Sequence, residues 1–224
     1  MADAALFEGR SFAALLFDMD GTLLSSLEAA ERIWGRWAQR HGLDVASFLP
    51  TIHGVRAVDT IRRLGLPGVD PEAEADALTA DEMEDMGGIH PIAGAAAFLA
   101  SLPHDRWAIV TSAPQALARR RLAAAGLPVP HLLIAAEDVQ RGKPLPDCYH
   151  LAASRLSVRT AECIVFEDAP AGIAAGEASG AALAVIAATH QEPMATPHPL
   201  LENYLGLTVA IRPDGRIGLE RARD

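Results

Sequence analysis

Two carboxylates with one residue between them, Asp18 and Asp20, follow a short apolar run at residues 12–17 and precede Gly21 and Thr22. An Asp beside a Gly after a strand is often only a turn. Two acids at this spacing ask for more, because like charges so close are unfavourable unless a cation, a shared proton or hydrogen bonds offset them. Oxygen donors arranged this way suit a divalent metal, and glycine lets the backbone approach a ligand closely. Three further groups recur at the ends of apolar runs: Thr111 and Ser112 after WAIV, Lys143 in RGKPLPD, and Glu167 with Asp168 closing CIVFED. Taken singly, the hydroxyl pair reads as a helix cap and the acid pair as a turn before Pro170. Together they supply two acid clusters, two hydroxyls and an ammonium, which is the set needed to hold Mg²⁺ and a phosphate. Lys143 is the single lysine against eighteen arginines. A compact ammonium suits phosphate, and Pro144 stiffens the loop that carries it.

The elements that position these residues follow from periodicity. Residues 12–17 read as a strand buried on both faces. Residues 27–41 read as an amphipathic helix, with Leu27, Ala30, Trp34, Trp37, Ala38 and His41 at helical spacing, Ser26 as N-cap and Gly42 as C-cap. The two tryptophans are core candidates. Residues 43–90 show no strand-like run, only helices at 56–64 and 72–86 between Gly/Pro breaks. Residues 25–90 therefore read as a small helical domain inserted after the first strand, with 1–24 and 91–224 forming the main domain. Beyond it, helices at 93–102, 115–125, 147–155 and 171–179 alternate with strands at 107–111, 131–136, 163–167 and 182–187. That alternation implies a Rossmann-like α/β fold, a parallel sheet with helices on both faces. The tail at 207–220 reads as a hairpin turning at Pro213, Asp214 and Gly215. In a parallel sheet the carboxyl ends of the strands share one edge, so the polar residues at these exits can converge.

Composition sets the outer bounds. The chain has 224 residues, half of them hydrophobic, and a formal charge of −10. That balance argues against nucleic acid and anionic membranes as partners, and an acidic protein that handles an anionic substrate needs a local positive site or a metal. Cys148 and Cys163 have no metal-like spacing, which points to a reduced cytoplasm. The opening residues MADAALFEGR lack a basic leader and an apolar h-region. The apolar runs are too short to span a bilayer.

FDMDGTL, VTS, GKPLPD and FEDAPAGI, in this order and spacing, resemble the haloacid dehalogenase superfamily, and within it the phosphatases with a helical cap after the first strand. ERIWGRWAQRHGL, IHGVRAVDTI and RGKPLPDCY are similar to its bacterial sugar and polyol phosphatases. The resemblance implies a Mg²⁺-dependent phosphatase that acts through an aspartyl-phosphate. Asp18 would be the nucleophile and Asp20 the general acid and base. Asp18, Asp168 and the Asp20 backbone carbonyl would hold the metal, with Glu167 orienting that shell. Lys143, the backbone near Gly21, and Thr111 or Ser112 would hold the phosphoryl oxygens. Arg56 and, more weakly, His53 would meet the substrate from the cap, and the protein would be a monomer or weak dimer. Two positions depart from the family's habit: Ser25 stands where Asp is frequent, and Ala113 where Gly or Ser is. The absence of lysine from the cap excludes a Schiff-base phosphonate hydrolase and weighs against a sugar phosphomutase. Halide removal would not require Asp20. A catalytically inactive phosphosugar-binding protein is the alternative from another class.

Overall fold

The apolar run at 12–17 divides in two in the computed structural model, which describes Phe7 and residues 9–221. Residues 1–6 and 8 of the opening stretch read for a leader lie outside the described residues. Ser11–Phe12 (β1) leaves the run to pair antiparallel with Ile217–Arg221 at the far end of the chain, and Ala14–Phe17 (β2) enters a parallel sheet. The break falls at Ala13, whose N–H turns to the Glu162 carbonyl at 2.8 Å. After β2 the chain doubles through Leu24–Ser25 (β3) into four helices: Leu27–Arg40 (α1), Val45–Phe48 (α2), Ala57–Leu64 (α3) and Pro71–Glu84 (α4). These helices close on their own apolar cluster of Ile33, Trp34, Trp37, Phe48, Ile61 and Leu78, so both tryptophans are core residues. Gly42, just past α1, takes the left-handed conformation that ends a helix at φ +69°. Ser26 sits at the N-cap of α1, but its side chain makes no capping bond.

His90–Pro91 (β4) then pairs antiparallel with β3, Leu24 opposite Pro91 and Ser25 opposite His90. This short strand falls at the end of a region that reads as strand-free, because a Pro-containing pair has no apolar alternation to betray it. The remainder alternates: Ala95–Ala100 (α5), Trp107–Val110 (β5), Gln115–Ala124 (α6), Leu132–Ile134 (β6), Asp147–Arg155 (α7), Cys163–Glu167 (β7), Pro170–Ser179 (α8), Ala182–Ile186 (β8) and Leu200–Leu201 (β9). Strand β6 is shorter than its apolar run. Asp138 takes the Ala135 N–H at 2.9 Å and turns 136–138 into a 3₁₀ segment. Leu207–Ile211 (β10) and Ile217–Arg221 (β11) form the terminal hairpin.

The six-stranded sheet is parallel throughout, in the order β6-β5-β2-β7-β8-β9. Side chains alternate across it. Leu15, Phe17, Ile109 and Phe166 pack on one side with α5 and α6. Ala14, Leu16, Val110 and Val165 pack on the other with α7 and α8. Cys148 and Cys163 are buried free thiols. No helix among the described residues is long and apolar enough to cross a membrane.

Candidate active site

From β2 the chain moves one way across the sheet, to β5 and β6, and then returns to the other side for β7 and β8. The switch therefore lies between β2 and β7, where open parallel sheets leave a crevice beyond their carboxyl ends. Asp18 follows β2 directly, and Glu167 and Asp168 end β7. Carboxylate oxygens of Asp18, Glu167 and Asp168 lie within 4.8 Å of one another. Between them sits the Lys143 ammonium, buried to 1% exposure, with Nζ 2.5 Å from Asp18 Oδ1, 2.6 Å from Glu167 Oε1 and 3.1 Å from the Val110 carbonyl. Those three acceptors use all three of its donors. Tyr149 Oη also donates to Glu167 Oε1 at 2.6 Å, and the Asp168 N–H donates to Glu167 Oε2 at 3.1 Å. Glu167 is thus an acceptor hub that fixes its neighbours.

Burial pushes the Asp18 carboxyl up to about 8, with Glu167 and Asp20 adding to the rise and Lys143 opposing it. Burial likewise drives the Asp168 carboxyl well up, reinforced by Asp18 and Glu167. Desolvation works against the Lys143 ammonium, yet the Asp18 and Glu167 charges overcome it and hold the amine protonated. One buried cation among three clustered acids leaves negative charge uncompensated. Oxygen donors with that imbalance fit a hard divalent cation. Space agrees with charge. Gly21 has φ +79°, and a Cβ there would collide with the Asp168 carboxylate. Thr22 Oγ1 donates to Asp168 Oδ1 at 3.0 Å, so the turn after Asp20 is wrapped around Asp168.

Two cavities open on this cluster and share Asp20, Ser26, His53 and Gly54. The inner one, about 100 Å³, is lined by Asp18, Asp20, Thr111, Ser112 and Arg121. The outer one, about 530 Å³, is lined by Glu31, His53, Asp168, His190 and Glu192 among others. Thr111 and Ser112 differ in what they have to offer. Ser112 Oγ donates to the Gly54 carbonyl at 2.9 Å. Thr111 Oγ1 only accepts, from the Ala113 N–H at 3.1 Å, and keeps its O–H free. The backbone N–H of Ala113 makes this contact, and its side chain takes no part in it.

Arg56 has its partners away from both cavities. It reads as the cap residue that meets substrate, but its guanidinium is used up elsewhere. Nε lies 2.6 Å from Asp59 Oδ2, Nη1 is 3.0 Å from the Val139 carbonyl, and Nη2 is 3.0 Å from the Gln140 carbonyl. It staples the start of α3 to the loop after β6 and lines neither cavity. His53 lines both, and burial pushes its imidazole down, towards the neutral form. Glu31 and Tyr149 stand within the motifs ERIWGRWAQRHGL and RGKPLPDCY but carry no role there, and two further residues of the site, His190 and Arg121, fall in no motif. His190 Nε2 lies 2.8 Å from the Asp168 carbonyl. His190 follows the exit of β8, and Arg121 is brought in from α6 by the fold alone.

Clustered acids, a buried ammonium and a free hydroxyl at the switch point of a parallel sheet define an α/β enzyme core built to hold a cation beside an anion. The chain belongs to the haloacid dehalogenase-like hydrolases, whose family model matches residues 12–180. It is 41% identical over 207 residues to hexitol phosphatase A of Escherichia coli (strain K12), covering 90% of this chain and 96% of that protein. It is 36% identical over 197 residues to validoxylamine A 7'-phosphate phosphatase of Streptomyces hygroscopicus subsp. limoneus, covering 84% and 92%. Among solved structures, CbbY from Rhodobacter sphaeroides in complex with phosphate shares the fold, with a TM-score of 0.71 at 24% identity, covering 86% of this chain and 95% of that one.

Proposed function

We propose that this hydrolase cleaves phosphate monoesters of small sugars or polyols in the cytoplasm, with Asp18 as nucleophile. The observation that carries the reading is the Lys143 ammonium against Asp18 Oδ1, which fixes a carboxylate at the switch point beside an inner cavity of phosphate size. Both relatives above bear phosphatase names, one for hexitols, which favours release of phosphate over its transfer within a sugar. Asp18 attacks phosphorus. As the Asp18 O–P bond forms, the P–O bond to the sugar breaks and the leaving alkoxide takes a proton from Asp20. Water then attacks the aspartyl-phosphate and gives a proton to Asp20, and the Asp18–phosphorus bond breaks to release phosphate. Thr111, with its free O–H, and the backbone at Gly21 hold phosphoryl oxygens, and Lys143 favours the charged form of Asp18 against burial and aims it. Asp18, Asp168 and the Asp20 carbonyl would hold Mg²⁺, which supplies positive charge against the carboxylates and the phosphoryl group. Residues 25–90 act as the cap, closing the outer cavity and excluding water, with His53 rather than Arg56 facing the sugar.

The test is phosphate release from hexose, pentose, hexitol and glycerol phosphates, with and without Mg²⁺, run beside a phosphoglucomutase-coupled assay. Mg²⁺-dependent release from several of them is expected, and Asp18→Asn should remove it while leaving the melting curve in place. Isomerisation without release, or full turnover in the Asp18→Asn variant, would overturn the reading.

A further inference from the structure

Three arginines run in succession on α6, and only the third is buried: Arg119 and Arg120 are exposed, whereas the Arg121 side chain is 7% exposed. A guanidinium held this far from water needs counter-charges, and it has two from different parts of the chain. Nη1 lies 3.1 Å from Asp20 Oδ1, in the turn after β2. Nη2 lies 3.1 Å from Glu82 Oε1, on the last turn of α4. Glu82 is itself nearly buried, at 11% side-chain exposure. Nε has no partner, so these two carboxylates account for the side-chain hydrogen bonds that hold Arg121 in place. Asp20 Oδ1 is engaged, and the same carboxylate, 27% exposed, faces the cavities. The planar fork of an arginine fixes two carboxylates relative to each other, which a point charge on a flexible stem does not.

We propose that Arg121 is a positioning residue that couples the helical segment to proton transfer. With Glu82 of α4 holding one arm of the fork, the other arm turns Asp20 so that its free oxygen meets the leaving group, and withdrawal of α4 releases both. The proposal rests on the acid role given to Asp20 above. It makes the proton donor ready only when the helices stand over the site.

Leaving groups separate positioning from simple structural support. An alkyl phosphate needs a proton donor when its P–O bond breaks, whereas p-nitrophenyl phosphate expels a stable anion without one. kcat/KM covers binding and the steps through formation of the aspartyl-phosphate and leaves out its hydrolysis. For Arg121→Met, kcat/KM for a hexitol or glycerol phosphate should fall about 100-fold or more, the range of a lost general acid, and p-nitrophenyl phosphate should change less than about threefold. Glu82→Gln should show the same selectivity more weakly, roughly tenfold. Arg121→Lys should recover only part, and Arg120→Met on the exposed face should match the parent. Equal losses on both substrates, or none, in Arg121→Lys and Glu82→Gln would overturn the coupling, even if Arg121→Met does not fold. Asp20→Asn in the same series tells the two readings apart. If it spares p-nitrophenyl phosphate and the Arg121 variants do not, the coupling fails and the acid role stands. If Asp20→Asn is itself unselective, the acid role fails, and the coupling with it.

Discussion

Lys143 is the ammonium between two buried carboxylates, and its removal separates stability from chemistry. At 1% exposure it bridges Asp18 and Glu167. Lys143→Met would leave two buried carboxylates without their cation, a loss of about 3–5 kcal/mol together with all turnover. The double variant with Glu167→Gln removes one of those orphaned charges and should regain part of the stability in urea melts while remaining inactive. A fully active Lys143→Met protein would contradict a role for the ammonium placed against Asp18. Residues of this kind were legible in the sequence because strand exits on a parallel sheet share an edge: Asp18, Thr111, Lys143 and Asp168 were bound to meet. Arg56 and Arg121 were not legible. An arginine in a helical segment finds whichever acceptors the fold brings to it, and Arg56 found three backbone carbonyls after β6. Arg121 stands in a run of three arginines on α6, where successive residues point in different directions and nothing in the run marks the buried one.

At the scale of elements, the terminal hairpin is tied to the sheet through charge as well as apolar contact. Arg216 Nη1 lies 2.9 Å from Glu162 Oε1, just before β7, and Arg159 pairs with the same carboxylate from its own turn at 3.1 Å. Hydrogen bonds from Arg159 and Arg216 hold the Glu162 carboxyl down at about 2, against 4.5 for a free group. A depressed carboxyl stabilises the fold above its unfolded value, and that contribution fades as pH falls towards the folded one. Glu162→Gln should therefore melt below the parent at pH 7, with the gap narrowing as pH drops below about 4.5. A gap that widens with acid would show that Glu162 is not stabilised as a carboxylate. Helices and strands with strong periodicity, such as α7 and β7, stand at their expected boundaries. The end of β6 moved where a side chain captured a backbone donor, Asp138 at Ala135, an interaction that hydropathy does not register.

For the molecule as a whole, the acids crowded at the switch point should make stability depend on the cation. Burial and mutual repulsion raise both Asp18 and Asp168. Mg²⁺ at about a hundred times its Kd would add about 2.7 kcal/mol to the folded state, or roughly 5–10 °C in Tm for a chain of this size. Asp168→Asn should flatten that response, and an unchanged Mg²⁺ shift in the variant would move the metal elsewhere. The solitary lysine also has a practical consequence. Every ε-amine on the chain is Lys143, and the folded protein shields it almost entirely. Reagents that acylate amines would therefore spare this side chain until the crevice or the whole sheet opens. The rate of its modification, read by mass spectrometry on a single peptide, is a built-in clock for that opening. The same shielding protects the counter-ion of Asp18 from adventitious acetylation.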